Sequence, residues 1–339
     1  MRARKAMWMA GMGGALLLSL LVTLTLGSVD LPVATVWRVL WGEVTGQATA
    51  EDAVAQAIVW NLRVPRALLA LLVGAALGAA GAAYQGVLRN PLADPYILGV
   101  SSGAALGAVL ALLAGWPRAH LGLFAVPLAA FGGGMAALLV TLRLGAVGGR
   151  LVRETTLLAG VVVQAFLGAA LTLAIAFSAD RLPSVIHWLM GSLANRDPLL
   201  VAVALPYVLV PFVLLLFWAR DLNVFTLGEE QAAHLGVETE RRKVHILLAA
   251  SLMTAAAVSV SGIIGFVGLV VPHVMRLLVG PDHRVLVPAS ALAGAFVLLW
   301  ADTFARTALA GAELPVGAVT AALGAPFFAY LLRRGRRGM

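Results

Sequence analysis

The sequence predicts an all-α, polytopic integral membrane protein with ten transmembrane helices and both termini in the cytoplasm. Three observations carry this. Of 339 residues, 61% are hydrophobic and only 12% charged, with a mean hydropathy of +0.95; ordinary soluble domains are about one quarter charged and under half apolar. The apolar residues fall in ten runs, most near the roughly 20 residues that cross a bilayer as a helix. Lysine and arginine are unevenly shared between alternate connecting segments.

The first run, residues 7–27, follows Arg2, Arg4 and Lys5. Its length, with no small-x-small cleavage site after it, favours a retained span over a signal peptide. Residues 28–61 supply no span. The second run (64–83) opens behind Arg63 and Arg66, and the third to sixth cover 95–114, 122–142, 155–177 and 198–218. The seventh and eighth (244–261 and 263–278) nearly fuse at Ser261-Gly262. Together they are too long for one crossing, so two short spans are expected. The ninth and tenth cover 286–304 and 314–332.

Orientation follows from charge. With the N-terminus inside, 17 of the 24 Lys and Arg residues fall on inner segments. Only Arg38, Arg63, Arg66, Arg118, Arg181, Arg196 and Arg306 lie outside. The positive-inside rule favours this topology. The net charge of +8 is therefore topological: the basic residues are scattered and form no stripe for nucleic acid. With no cysteine, disulfides, thiolate metal sites and thiol nucleophiles are excluded.

Glycines recur at helical spacing: Gly74/Gly78, Gly99/Gly103/Gly107 and Gly262/Gly265/Gly268. Small residues let helices approach closely in lipid, where dispersion replaces the hydrophobic drive. No Gly-x-x-x-x-Gly-Lys-Ser/Thr pattern occurs, so the chain has no P-loop of its own. The polar residues expected within spans are Asp302, His273, Gln164 and Gln85. They are isolated rather than arrayed as a proton relay, which favours helix–helix hydrogen bonds. His273 lacks the neighbours of a metal ligand, and no metal site is expected.

The longest polar island, residues 226–236, lies in a loop spanning 219–243. Thr226 and Glu229 have capping-box spacing, and Gly236 stands where a helix ends in a left-handed turn. A short capped helix outside the bilayer reads as a docking element moved by a partner; the alternative is a solvated surface helix. The basic run Arg241-Arg242-Lys243 reads as a topology signal.

Several motifs then resemble one family. They are Arg63-Val-Pro-Arg66, Gln85-Gly-Val-Leu-Arg-Asn-Pro-Leu-Ala-Asp-Pro95, Leu98-Gly-Val-Ser-Ser-Gly103, Leu227-Gly-Glu-Glu-Gln-Ala-Ala-His-Leu-Gly236, Gly265-Phe-Val-Gly-Leu-Val-Val-Pro-His-Val-Met-Arg276, Asp282-His-Arg284, Ala301-Asp302, Leu314-Pro-Val-Gly-Ala-Val-Thr320 and Gly324-Ala-Pro326. In this order they resemble FecCD-type permeases, the membrane subunits of ABC importers for iron–siderophores, haem and vitamin B12. The resemblance covers residues 63–335 of what reads as a single domain, 1–339.

The resemblance implies a multi-pass protein of the cytoplasmic membrane of a bacterium or archaeon. It implies a homodimer with a dimer of cytoplasmic ATPases and one extracytoplasmic binding protein. Catalysis then belongs to the ATPase, and this chain needs no cofactor. Leu227, Gly228, Glu229, Glu230, Ala233, His234, Leu235 and Gly236 become the coupling helix, with Leu227, Ala232, Ala233 and Leu235 as its packed side and Glu229, Glu230 and His234 at its rim. Arg63, Arg66 and Arg306 become docking residues for acidic knobs of the binding protein; the alternatives are interfacial snorkelling and, for Arg306, a pair with Asp302 one turn away. Gly160, Gln164, Gly317 and Thr320 become lining of the pathway, and residues 145–154 its cytoplasmic gate. An iron complex is the expected cargo, with vitamin B12 as the alternative. An ion-driven secondary transporter and a purely structural membrane subunit are the readings from other classes.

Overall fold

The computed structural model describes residues 2–46, 53–115, 122–194, 197–309 and 312–335. Of the arginines used above for topology, Arg118, Arg196, Arg336 and Arg337 lie outside the described residues.

The chain opens with α1 (Arg2–Thr25) and the amphipathic α2 (Val33–Thr45). A short α3 (Ala53–Gln56) runs through a π-helical turn, Ala57–Arg63, into α4 (Val64–Val87). Pro65 explains the turn. It has no N–H to give to the i−4 carbonyl, and just before it the Val64 N–H reaches back five residues, to the Val59 carbonyl. Within the segment that supplies no span, Val33–Thr45 and Ala53–Gln56 with the π-helical turn thus fold as helix outside the ten runs, and Val36, Val39, Ala55 and Val59 close a small core of their own.

Next come α5 (Val100–Ala114) and α6 (Ala125–Gly145). A tight hairpin, β1 (Ala146–Val147) paired with β2 (Arg150–Leu151), leads into α7 (Arg153–Ala176). Then follow α8 (Leu182–Leu189), α9 (Pro198–Phe217), α10 (Ala219–Phe225), α11 (Glu229–His234) and α12 (Thr239–Ser261). The chain continues with α13 (Val267–Val279), α14 (His283–Thr307) and α15 (Val316–Gly335). Among the described residues seven helical stretches are long and apolar enough to cross a membrane, and α5, α13 and α15 are shorter apolar helices. Each of the ten expected runs therefore coincides with one helix.

Helix α4 is the axis of the fold, buried continuously from Ala76 to Val87 and packed by α9, α12, α13 and α14. Glycine makes this possible. A Cβ on Gly74 would overlap the Gly294 carbonyl oxygen, and a Cβ on Gly294 the Gly74 carbonyl oxygen; Gly78 meets Ser290 and Gly81 meets Gly268 in the same way. Gly103 and Gly107 let α5 lie equally close to α6. The small-residue reading thus holds for both of these pairs.

It fails for one member of the third set. Gly265 has no neighbour for a Cβ, whereas Gly262, which ends α12 at φ +71, lies so close to α8 that a Cβ would overlap the Trp188 carbonyl oxygen. Residues 262–266 are a non-helical break between α12 and α13, as the near-fusion of two runs predicts. Bare backbone polar groups at membrane depth cost several kcal/mol each unless protein satisfies them. Here the Tyr96 hydroxyl donates to the Ile264 carbonyl (2.8 Å) and the Ser192 N–H to the Ser261 carbonyl (2.8 Å).

Candidate functional site

The polar loop 219–243 folds as α10, a turn, and the two-turn α11. The capping box does not form. Thr226 donates its hydroxyl to the Asn223 carbonyl instead (2.6 Å), and Gly228 holds the N-cap at φ +119, ψ 156 with no side-chain cap. An L side chain there would be strained, and its Cβ would overlap the Gln231 amide oxygen; this position needs glycine. Gly236 does take the left-handed turn, at φ +83.

The two sides of α11 differ from the expected division. Ala232 is fully buried in the chain's own core, so it does not belong to an outward-packing face. Leu227 and Leu235, each 63% exposed, stand at either end of the helix with exposed Ala233 and His234 between them. Glu230 is exposed. Glu229 is turned inward as an ion-pair partner of Lys243 (2.9 Å), with Arg89 4.0 Å away, so it is not a free rim carboxylate.

Lys243 is the residue sequence reasoning missed. In a run of three basic residues it looks like a topology signal, yet its side chain is only 5% exposed. Its ammonium donates to Glu229, pairs with Glu240 (2.9 Å), and donates to the Leu151 carbonyl (2.6 Å). The Leu151 N–H in turn donates to Glu240 (2.8 Å). Leu151 belongs to the hairpin within residues 145–154, the expected gate. Beyond it, Arg153 pairs with Glu154 (3.2 Å), and Thr155 donates to the Gly145 carbonyl (2.7 Å).

At the opposite end of the fold, Arg63, Arg66 and Arg306 line one polar crevice of about 130 Å³ together with Gly27, Ser28 and Glu313. None of the three is a free exposed charge. Arg63 donates to the carbonyls of Leu24 (2.9 Å), Thr25 (3.2 Å) and Val29 (2.5 Å). Arg306 donates to the Thr23 carbonyl (2.7 Å). Thr23, Leu24 and Thr25 end α1, where carbonyls have no intrahelical partner and the helix dipole favours a cation. Two arginines from distant helices thus cap α1. Arg66 makes a forked pair with buried Asp302 (2.9–3.1 Å) and reaches Glu313 (2.9 and 3.1 Å). Asp302 takes Arg66 as its main partner; the Arg306 Nε lies 3.9 Å from it.

Of the four residues expected to line a passage, Gly160, Gly317 and Thr320 are buried within the chain and Gln164 is half-buried. Gly160 is buried against the Ile97 carbonyl, and Gln164 donates to that same oxygen (2.8 Å). Gly317 is buried where a Cβ would overlap the Met190 carbonyl, and buried Thr320 donates to the Gly317 carbonyl (3.0 Å). Their small size serves close backbone approach within the chain. The outward faces of α7 and α15 carry Val161, Val162 and Ala165, and Ala318, Ala322 and Ala325. Gln85 bridges helices as expected, donating to the Leu269 carbonyl (3.0 Å). In the loop before α5, Asp94 accepts from the Tyr96 N–H (2.8 Å). Burial pushes its carboxyl up to about 6, against the lowering effect of that hydrogen bond.

Comparison with known proteins places this architecture. The chain is 43% identical over 326 residues to the hemin transport system permease protein HmuU of Yersinia pestis, covering 94% of this chain and 95% of that one. It is 48% identical over 279 residues to the cobalamin import system permease protein BtuC of Halobacterium salinarum, covering 82% and 74%. The solved inward-facing structure of a metal-chelate type ABC transporter superposes with a TM-score of 0.83 at 31% identity, over 97% of this chain and 99% of that one. The model of the FecCD transport family matches residues 15–334. This multi-pass chain is an ABC importer permease of the cytoplasmic membrane and belongs to the FecCD transport family.

Proposed function

We propose that this chain crosses the membrane ten times with both termini in the cytoplasm, pairs with a second copy, and carries an iron complex inward on the power of a separate ATPase dimer. The observation that carries the coupling role is the build of loop 219–243. Helix α11 is pinned from behind by Ala232 and Lys243 and presents Leu227, Ala233 and Leu235 outward. An exposed apolar set on a rigidly backed helix fits a groove on a partner protein, and the chain has no P-loop to hydrolyse ATP itself.

The opposite crevice is the docking place for an extracytoplasmic binding protein. Arg66 and Glu313 form its accessible edge, with side chains 14% and 39% exposed. Arg63 and Arg306 shape its wall. The substrate passage lies between the two copies.

An iron complex as cargo is supported by the near full-length match to the hemin permease and by the metal-chelate transporter's likeness over 97% of the chain. The 48% identity to a cobalamin permease favours a corrinoid as the second reading. The test is uptake by proteoliposomes containing this chain, its ATPase and its binding protein, offered haem, a ferric siderophore or cobalamin. ATP-dependent haem or ferric-siderophore uptake is expected. Uptake of cobalamin alone would give the second reading, and uptake without the ATPase would sink the importer reading.

A further inference from the structure

We propose that Lys243 is the positioning residue that carries motion of α11 to the α6–α7 hairpin and so to α7; this rests on α11 being the ATPase-coupling helix. Three facts of geometry lead here. The Lys243 ammonium is held simultaneously by a carboxylate of α11 (Glu229, 2.9 Å), a carboxylate of its own helix (Glu240, 2.9 Å) and the backbone of the hairpin (Leu151 carbonyl, 2.6 Å). Glu240 closes the circuit by accepting the Leu151 N–H at 2.8 Å. The side chain is 5% exposed, so water does not replace these partners cheaply.

A lysine placed only to mark topology has no need of burial; its charge works as well in solvent. Burying an ammonium costs several kcal/mol unless good partners repay it. All three of its donor positions are used here, which fixes the distance between α11 and the hairpin. The hairpin is short and leads within two residues into α7. At its start α7 is tied back to the end of α6 by the Thr155 hydroxyl on the Gly145 carbonyl. A displacement of α11 therefore pulls on Leu151, and Leu151 pulls on the base of α7. Farther along, α7 packs its Gly160 and Gln164 on the Ile97 carbonyl, so a shift of α7 reaches the loop before α5.

The absence of native cysteine makes single-site labelling unambiguous. The full importer is reconstituted in nanodiscs with a fluorophore on Gln231→Cys in α11 or on Val147→Cys in the hairpin; both positions are exposed and neither belongs to the apolar set offered to the ATPase. With Lys243 intact, trapping the ATPase with ATP and vanadate is expected to change both signals. With Lys243→Met the Gln231 label still responds. The Val147 response falls at least fivefold, and substrate moved per ATP hydrolysed falls about tenfold, inside the 5–150-fold range of ordinary coupling. Glu240→Gln removes the carboxylate that pairs with Lys243 and accepts the Leu151 N–H while leaving Glu229 in place, and is the second variant should Lys243→Met fail to assemble; it must give the same split. Lys243→Arg, which retains charge and donors, restores part of the Val147 response. A Val147 response within twofold of the parent in either variant would overturn the proposal. If neither label responds in the parent protein, the coupling reading itself is wrong.

Discussion

Asp302→Asn tests whether the buried arginine–carboxylate network at the outer end holds the fold together. Asp302 is 3% exposed and accepts three hydrogen bonds from Arg66, at 2.9, 3.0 and 3.1 Å. Asparagine keeps the shape, removes the charge, and turns one acceptor into an N–H₂ group facing guanidinium donors. At about 3 Å and an effective dielectric constant of about 20, Coulomb's law gives roughly 5–6 kcal/mol of attraction. Desolvation of the pair offsets several kcal/mol of this, and removing one partner of a buried pair typically costs about 3–5 kcal/mol. The low end applies, because Arg66 retains Glu313 at 2.9 Å. The expected loss is about 3 kcal/mol. Unfolding in mixed detergent–SDS micelles, followed by the fluorescence of the eight tryptophans, gives the free energy for the parent, Asp302→Asn, Arg66→Met and the double variant. A coupling energy of at least about 1 kcal/mol is expected from the cycle. Additivity within about 0.5 kcal/mol, the ordinary scatter of independent sites, would refute the structural role.

Three further outcomes are expected. Leu235→Asp, which puts a charge into a contact of two apolar surfaces, weakens binding of the ATPase at least tenfold, as loss of an interface anchor does; pull-down with the detergent-solubilised chain checks it, and unaltered binding removes Leu235 from the interface. Gly160→Ala lowers stability by about 1–3 kcal/mol, the usual range for overpacking, because the added methyl overlaps the Ile97 carbonyl; a stable variant with reduced transport would instead restore Gly160 to the passage. For Asp94, raised to about 6, the folded state favours the neutral acid. Its contribution to stability is full below the unfolded value near 4 and is lost as pH rises through 6. Asp94→Asn keeps an acceptor for Tyr96 without a charge, so SDS unfolding of the variant between pH 4.5 and 7.5 should show a shallower fall with pH than the parent. An unchanged slope would clear Asp94 of that dependence.

Much of the fold was legible along the chain because the signals are local. A bilayer accepts only long apolar helices, so ten runs marked ten helices. Gly74 and Gly78 repeat at helical spacing, and in lipid that spacing has few uses other than close packing. The break at Ser261-Gly262 and the left-handed turn at Gly236 need only the conformational freedom of glycine. The sites were less legible. Small residues at Gly160 and Gly317 read as passage lining and in the fold also sit against the Ile97 and Met190 carbonyls; the sequence does not say whether a small residue makes room for a substrate or for a neighbouring backbone. Arg63 and Arg306 looked exposed because they fall at span ends, yet they cap α1.

By itself the sequence determined the membrane class, the helices and their breaks, and the family. Only the tertiary structure decided which charges meet. Arg66 finds Asp302 from 236 residues away, Arg306 finds the Thr23 carbonyl from 283, and Lys243 finds Leu151 from 92. Helix formation and bilayer burial depend on neighbours a few residues apart, so composition and spacing encode them. The partner of a buried charge depends on which helix ends the packing brings together, and at such separations no local pattern records it.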